Sequence, residues 1–124
     1  MPRIVFMDSG LASFLADFES ARALQIGEHA GSFFEAYVVS EILKGYSNKG
    51  KRIDISYIRN DNSDEIDLII CKNGYIHPIE IKKTSTPKMN MFKNFTYLEN
   101  SVLKLGMGGL ICNYDKLVKI NENN

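Results

Sequence analysis

Two carboxylates and a lysine lie in neighbouring runs of apolar residues. Asp67 is in the run Ile66–Cys71, and Glu80 and Lys82 alternate with isoleucines in Ile79–Lys82. Acidic side chains held close together are typical of sites for Mg²⁺ or Mn²⁺, which prefer oxygen ligands. Such a cation polarises a phosphoryl oxygen and acidifies a water molecule, and a nearby ammonium group stabilises negative charge on a phosphate. These residue types therefore indicate metal-assisted hydrolysis of a phosphodiester.

A β-hairpin is predicted to bring the three residues together. Asn73-Gly74, between the two runs, is a strong signal for a two-residue type I′ turn. This turn places Asp67 opposite Glu80 at a non-hydrogen-bonded pair, with Lys82 on the same face as Glu80. Pro78 then also falls at a non-bonded position, where its missing N–H costs nothing. Because two facing acids repel each other, we expect a cation between them.

A third acid, Glu35, lies on the apolar face of a predicted helix. Ser32 and Glu35 match the S-x-x-E capping box, which predicts a helix over about 32–44 that Gly45 ends. The apolar positions at helical spacing after Glu35 are Val38, Val39 and Ile42. Packing of this stripe on the sheet would aim Glu35 at the two hairpin acids. The alternative is that Glu35 only caps its own helix.

The remaining segments predict an α/β sandwich around a small mixed sheet. In the N-terminal part, hydrophobic periodicity and capping residues predict a short edge strand or docking segment over 4–7, a helix over 11–18 capped by Asp8-Ser9, and a connector over 19–31. A strand is predicted over 53–58, before the hairpin. After the hairpin, the same signals predict a helix from Thr86-Pro87 to about Asn100, a strand over 108–112 and a final strand or edge over 114–120. Tight loops make the first three sheet strands antiparallel, and the crossover helix allows the next strand to run parallel to the third. The predicted core order is α-β-β-β-α-β.

Length and charge are typical of one ordinary domain. We expect the 124 residues to form a single unit, with an N-terminal docking segment and short helix over 1–27 and a core over 28–120. Because 15 cationic and 15 acidic residues balance, any nucleic-acid contact needs a local patch. One candidate patch consists of Lys82, Lys83, Lys88 and Lys93. The alternative is that these lysines form an ordinary solvated surface.

Other features favour a cytoplasmic protein without a membrane span. The sequence contains no apolar run approaching about 20 residues and no recognisable signal peptide. Cys71 and Cys112 are far apart within apolar runs and lack zinc-site spacing. If the apolar segment Ile4–Phe18 is exposed, it could drive homo-oligomerisation.

The candidate site residues resemble the active-site motif of the PD-(D/E)XK nuclease superfamily. Asp67 is followed by 12 residues and then by Glu80-x-Lys82, and Glu35 lies on an upstream helix. The predicted order of elements also resembles the restriction-endonuclease-like core of that superfamily. A closer similarity is to the uncharacterised C-terminal domain of prokaryotic AAA-type ATP-binding proteins. The segments that carry this similarity are Phe6–Leu11, Phe33–Val38, Glu65–Leu68 and Pro78–Lys82.

The resemblance implies a role for each residue and a set of partners. Asp67, Glu80 and Glu35 would bind Mg²⁺ or Mn²⁺ and act in catalysis together with Lys82, and the substrate would be DNA or RNA. An AAA-type ATPase domain is the implied protein partner. The chain has no G-x-x-x-x-G-K-[ST] phosphate loop, so we expect a C-terminal fragment of a longer protein or a free-standing remnant. The chain departs from the superfamily pattern at Ile66, where a proline is usual.

The sequence is compatible with two functions. The first is a metal-dependent nuclease, and the second is a catalytically inactive interaction or regulatory module associated with an AAA-type ATPase. Simpler interpretations of the motif also remain: Asp67 could cap the preceding turn, and Glu80 with Lys82 could be exposed on an edge strand.

Overall fold

A five-stranded mixed sheet forms the centre of the computed structural model, which describes residues 4–119. The strands are β1 (Asp54–Arg59), β2 (Glu65–Lys72), β3 (Tyr75–Lys82), β4 (Lys104–Leu105) and β5 (Gly109–Cys112). β1, β2 and β3 form an antiparallel meander, and β4 and β5 pair in parallel with β3. The predicted mixed α/β architecture is confirmed, while the short strand β4 was not predicted.

Two short helices precede the main helix. They are α1 (Ser9–Leu15) and α2 (Ala21–Ile26). Asp8 caps α1 by accepting a hydrogen bond from the Leu11 N–H at 2.9 Å, as predicted. The prediction of a connector over 19–31 is wrong, because Ser20 caps α2 in the same way, accepting from the Ala23 N–H at 3.1 Å.

The main helix, α3 (Ala30–Ser47), is longer than predicted at both ends. Its N-cap residue is His29, which makes no side-chain capping bond, so the predicted capping box of Ser32 does not form. The helix also continues through Gly45. A glycine inside a helix costs only about 1 kcal/mol relative to alanine, and the packing of α3 on the sheet outweighs this cost.

The segment before β4 is a 3₁₀ helix (Met89–Leu98) and not the predicted α-helix from Thr86-Pro87. With three residues per turn, apolar side chains three positions apart line up on one face. Those side chains are Met89, Phe92, Phe95 and Leu98. Leu98 is buried and Phe95 packs beside it, so the threefold apolar spacing matches the 3₁₀ geometry.

Helices cover both faces of the sheet and produce two apolar layers. The layer between α3 and the sheet contains Val38, Val39, Leu68 and Ile81. The layer on the side of the 3₁₀ helix contains Ile66, Ile69, Ile76 and Leu98. The candidate site lies where β2 begins and β3 ends.

The two ends of the described chain are less regular than predicted. No strand forms over 4–7, although Val5 packs against the α3 layer. No strand forms over 114–119 either, and residue 120 and residues 1–3 lie outside the described part. Within residues 4–119, no helix has the length and apolarity needed to cross a bilayer.

Candidate functional site

The β2–β3 hairpin has the predicted turn. Asn73 and Gly74 have positive φ angles of 53° and 79°, as a type I′ turn requires. Strand pairing begins at Lys72 and Tyr75 and continues to Leu68 and Ile79. Pro78 occupies its predicted position opposite Ile69. The turn therefore fixes the register of the strands that lead to the site.

The backbone pairing of the hairpin ends just before the site. Beyond Leu68–Ile79, the next hydrogen-bonded pair would join Ile66 to Ile81. Instead, the Ile81 N–H donates a hydrogen bond of 2.8 Å to Oδ2 of Asp67. The carboxylate thus takes the place of a backbone acceptor, and Asp67 and Glu80 lie one step beyond the paired strands. We call this region the open end of the hairpin.

A β-bulge in β2 explains how Asp67 reaches this position. Tyr57 of β1 faces two residues of β2, Asp67 and Leu68, because the register shifts by one residue there. The shift also places Ile66 and Ile69 in the same apolar layer although they are three residues apart. Regular alternation along a strand would put Ile66 and Ile69 on opposite faces. Their three-residue spacing is therefore the feature of the sequence that indicates the bulge.

Lys82 bridges the two acids of the open end. Its Nζ lies 3.0 Å from Oδ2 of Asp67 and 2.9 Å from Oε2 of Glu80. Both acids are buried, at 3% and 2% exposure, whereas 40% of the Lys82 side chain is accessible. The cation expected between the acids is therefore supplied, at least in part, by the protein itself. The interpretations of Asp67 as a turn cap and of Glu80 with Lys82 on an exposed edge are both wrong, since β3 is an interior strand.

Glu80 is the unusual member of this group. Its Oε1 is buried and has no hydrogen-bond partner among the described residues. Burial raises the pKa of Glu80 to about 7, the charge of Asp67 adds to this effect, and Lys82 only partly offsets it. Burial lowers the pKa of Lys82, but its hydrogen bonds to both acids outweigh burial and raise that pKa overall. Glu80 thus exchanges a proton near neutral pH while Lys82 stays charged.

A cleft of about 420 Å³ lies beside these residues on the side of the 3₁₀ helix. Its charged lining residues are Asp64, Glu65, Glu80, Lys82, Lys88 and Lys93. Three lysines of the predicted patch therefore line the cleft. Lys83 instead donates to the Gln25 carbonyl at the end of α2, at 3.0 Å.

Hydrogen bonds that sequence reasoning missed hold the 3₁₀ helix against the start of β2. Asn94 donates to the Glu65 carbonyl at 2.9 Å, and the Tyr97 hydroxyl donates to Oδ2 of Asp64 at 2.8 Å. Hydrogen bonds from Tyr97 and then Asn60 lower the pKa of Asp64. The polar loop before β2 was the only sequence signal of these contacts, and their partners are distant in the chain.

Glu35 was predicted to be a third metal ligand, and the structure does not test this role. Glu35 is half-buried in the second turn of α3 and takes part in a polar interaction. Within residues 4–119, no group of three or more His, Cys, Asp or Glu side chains is arranged to hold a metal ion. The structure therefore brings together Asp67, Glu80 and Lys82, and Glu35 as a third ligand stays a prediction.

The comparisons with known proteins give one result. The model of a family described as "Domain of unknown function (DUF4143)" matches residues 30–124. Comparison with curated proteins and with solved structures gives no significant match. The matched region begins where α3 begins and includes Glu35, Asp67, Glu80 and Lys82. Because it covers most of the sequence, the chain belongs to the DUF4143 family.

Proposed function

We propose that the open end of the hairpin is the active site of a metal-dependent nuclease of the PD-(D/E)XK type, which hydrolyses phosphodiesters in DNA or RNA. The observation that carries this proposal is that Oε1 of Glu80 is buried and has no hydrogen-bond partner within residues 4–119. In a purely structural ion pair the buried acceptors are normally hydrogen-bonded, because leaving one without a partner costs about 1–3 kcal/mol. This cost supports a functional use of the oxygen.

The donor set fits a hard divalent cation. Asp67 and Glu80 would hold Mg²⁺ or Mn²⁺ through carboxylate oxygens, and Glu35 is the predicted third ligand. A positive charge near Oε1 would also favour the ionised form of Glu80, whose pKa is raised to about 7 without it. When bound, the cation would supply charge neutralisation and an acidified water molecule.

Lys82 and two further lysines would act on the phosphate. The Lys82 ammonium remains charged and partly accessible, so it would stabilise negative charge that develops on a phosphate in the cleft. Lys88 and Lys93 also line this cleft, and Nζ of Lys93 lies 3.9 Å from Oδ1 of Asp64. Within residues 4–119, Lys88 has no carboxylate within 4 Å, and its charge is therefore available to an incoming anion.

A second candidate function is a catalytically inactive module that docks to an AAA-type ATPase. The observation that favours it is the apolar surface of the N-terminal helices. Neither α1 nor α2 has a buried residue, and Phe14 and Ile26 are 77% and 78% exposed. Such side chains are typical of surfaces that another protein covers.

A cleavage assay separates the two functions. The protein is incubated with end-labelled single- and double-stranded DNA and RNA, with Mg²⁺, Mn²⁺ or EDTA. We expect cleavage only with a divalent cation and a loss of about 10²–10³-fold in Lys82→Ala. The matched control is Lys83→Ala, because that lysine bonds to α2 and lies outside the cleft.

The outcome decides between the candidates. Cleavage that survives Lys82→Ala would show that another site or a contaminant acts. An absence of cleavage with every substrate and cation would rule out the nuclease and leave the docking module.

A further inference from the structure

The end of α3 and the loop after it carry a concentration of positive charge. Within Lys44–Arg52 there are four cationic residues and no acid, although the whole chain has a net charge of zero. All four cationic side chains are exposed. Gly50, with φ 64°, turns the loop between the lysines. The charge is therefore local and lies on one surface.

A second cleft of about 420 Å³ is formed by this segment. Its polar lining residues are Lys44, Ser47, Asn48, Lys51 and Arg52. Lys44 pairs with Glu41 at 3.1 Å. Within the described residues, Lys49, Lys51 and Arg52 have no carboxylate within 4 Å. Most of this charge is thus not neutralised by the protein.

The basic cleft lies at the opposite end of the sheet from the open end. The loop leads into β1, whose first residue, Asp54, pairs with Cys71. The exposed Lys72 therefore lies beside the loop. We call Lys44, Lys49, Lys51, Arg52 and Lys72 the basic end. Its residue Lys72 lies about 17 Å from Asp67 along β2, at a rise of about 3.3 Å per residue.

We infer that the basic end binds the phosphate backbone of nucleic acid, without reading its sequence. Lysine and arginine neutralise phosphates, and Ser and Asn side chains commonly donate to phosphate oxygens, so the lining of the cleft suits this ligand. A membrane surface fits less well, because the apolar side chains here line the cleft and do not form a protruding helix face. This binding site is separate from the proposed active site and requires no hydrolysis.

Salt-dependent binding tests the inference. Binding of a fluorescein-labelled oligonucleotide of mixed sequence is followed by anisotropy in EDTA, at several salt concentrations between about 50 and 200 mM. In Lys49→Ala/Lys51→Ala/Arg52→Ala, we expect affinity at low salt to fall about tenfold or more. The slope of log K against log salt should become shallower by about 2–3.

Two controls keep the test specific. The triple variant Arg22→Ala/Lys116→Ala/Lys119→Ala removes the same charge from other exposed positions and should bind like the wild type. The charge-conserving variant Lys49→Arg/Lys51→Arg/Arg52→Lys should also keep its affinity. Circular dichroism checks that each variant is folded.

Several outcomes would overturn the inference. These are wild-type protein that does not bind the oligonucleotide, a basic-end variant that binds as tightly as the wild type, or equal weakening in the control triple variant. Binding to phosphatidylserine vesicles but not to oligonucleotide would assign the surface to a membrane. Equal competition by polyglutamate at the same charge concentration would assign it to acidic proteins. Because the assay contains EDTA, its result does not depend on whether the protein cleaves.

Discussion

The two ends of the β2–β3 hairpin satisfy their polar groups in different ways. At the turn, backbone pairs continue without interruption from Lys72–Tyr75 to Leu68–Ile79, and the side chains of the turn are exposed. At the open end, the Asp67 carboxylate replaces a backbone acceptor, and the two buried carboxylates share the partly accessible ammonium group of Lys82. One hairpin therefore combines a regular end and an irregular end within a few residues.

This difference indicates that the turn mainly stabilises the hairpin, whereas the open end carries the proposed function. Buried ion pairs seldom add net stability, because removing charges from water costs several kcal/mol per ion. Perturbed titration of a group beside a cleft is instead typical of functional sites. We therefore expect changes at the turn to leave the pH dependence of stability and the cleavage step unaltered, and changes at the open end to affect stability, its pH dependence and cleavage together.

The largest loss of stability is expected for Asp67→Ala. This substitution leaves the Ile81 N–H without its acceptor and removes one of the two buried carboxylates that Lys82 contacts. Breaking a buried charged pair costs about 3–5 kcal/mol. Urea denaturation should show a loss of this size, whereas Lys72→Ala, at the exposed turn end, should change stability by no more than about 0.5 kcal/mol. A loss below about 1 kcal/mol in Asp67→Ala would mean that the open end contributes little to the fold.

The next effect is the pH dependence that Glu80 confers. Its pKa is about 7 in the folded chain and about 4.5 when unfolded, so protonation favours folding. The stabilising contribution is complete below about pH 4.5 and is lost as pH rises through 7. Between pH 5 and pH 8, we expect the free energy of unfolding of the wild type to fall by up to about 3 kcal/mol relative to Glu80→Gln.

Urea denaturation across this pH range checks the prediction for Glu80. The matched control is Glu41→Gln, an exposed acid paired with a lysine on α3. It should follow the pH profile of the wild type. If Glu80→Gln has the same profile as the wild type, the Glu80 carboxylate titrates as an ordinary exposed acid.

A smaller effect is expected at the turn. Gly74 has φ 79°, and a side chain there is strained by about 1–2 kcal/mol, so Gly74→Ala should lower stability by this amount. Gly45→Ala is the matched glycine substitution. It lies inside α3 with open space around it and should stabilise the protein by about 0.5–1 kcal/mol. Both variants should cleave like the wild type, and a loss of cleavage in Gly74→Ala would contradict the separation of the two ends.

Local patterns were sufficient to predict the regular end of the hairpin. Asn73-Gly74 determines the turn through its own φ preferences, and the position of Pro78 agrees with the same register. The same register predicts that Asp67, Glu80 and Lys82 lie at one end of the hairpin, although the paired strands stop at Leu68–Ile79. These features depend on neighbours in the chain, which is why the sequence alone revealed them.

Features set by distant contacts could not be predicted in this way. The bulge at Asp67 depends on how β1 pairs with β2, and the Tyr97–Asp64 hydrogen bond joins segments 33 residues apart. The early start of α3 at Ala30 and its passage through Gly45 depend on packing against the sheet, which outweighs local helix signals. For the 3₁₀ helix over Met89–Leu98, the Thr86-Pro87 signal predicts a helix but does not specify its type.

The central claim is that Asp67 and Glu80 hold a divalent cation at the open end. Titration of the protein with Mn²⁺ by isothermal calorimetry at pH 8, where Glu80 is largely ionised, tests it most directly. We predict saturable binding to the wild type and to Glu41→Gln, and an affinity at least about tenfold lower in Glu80→Gln, as loss of a metal-site contact typically produces. Absence of Mn²⁺ binding to the wild type, or equal affinity in Glu80→Gln, would contradict the claim.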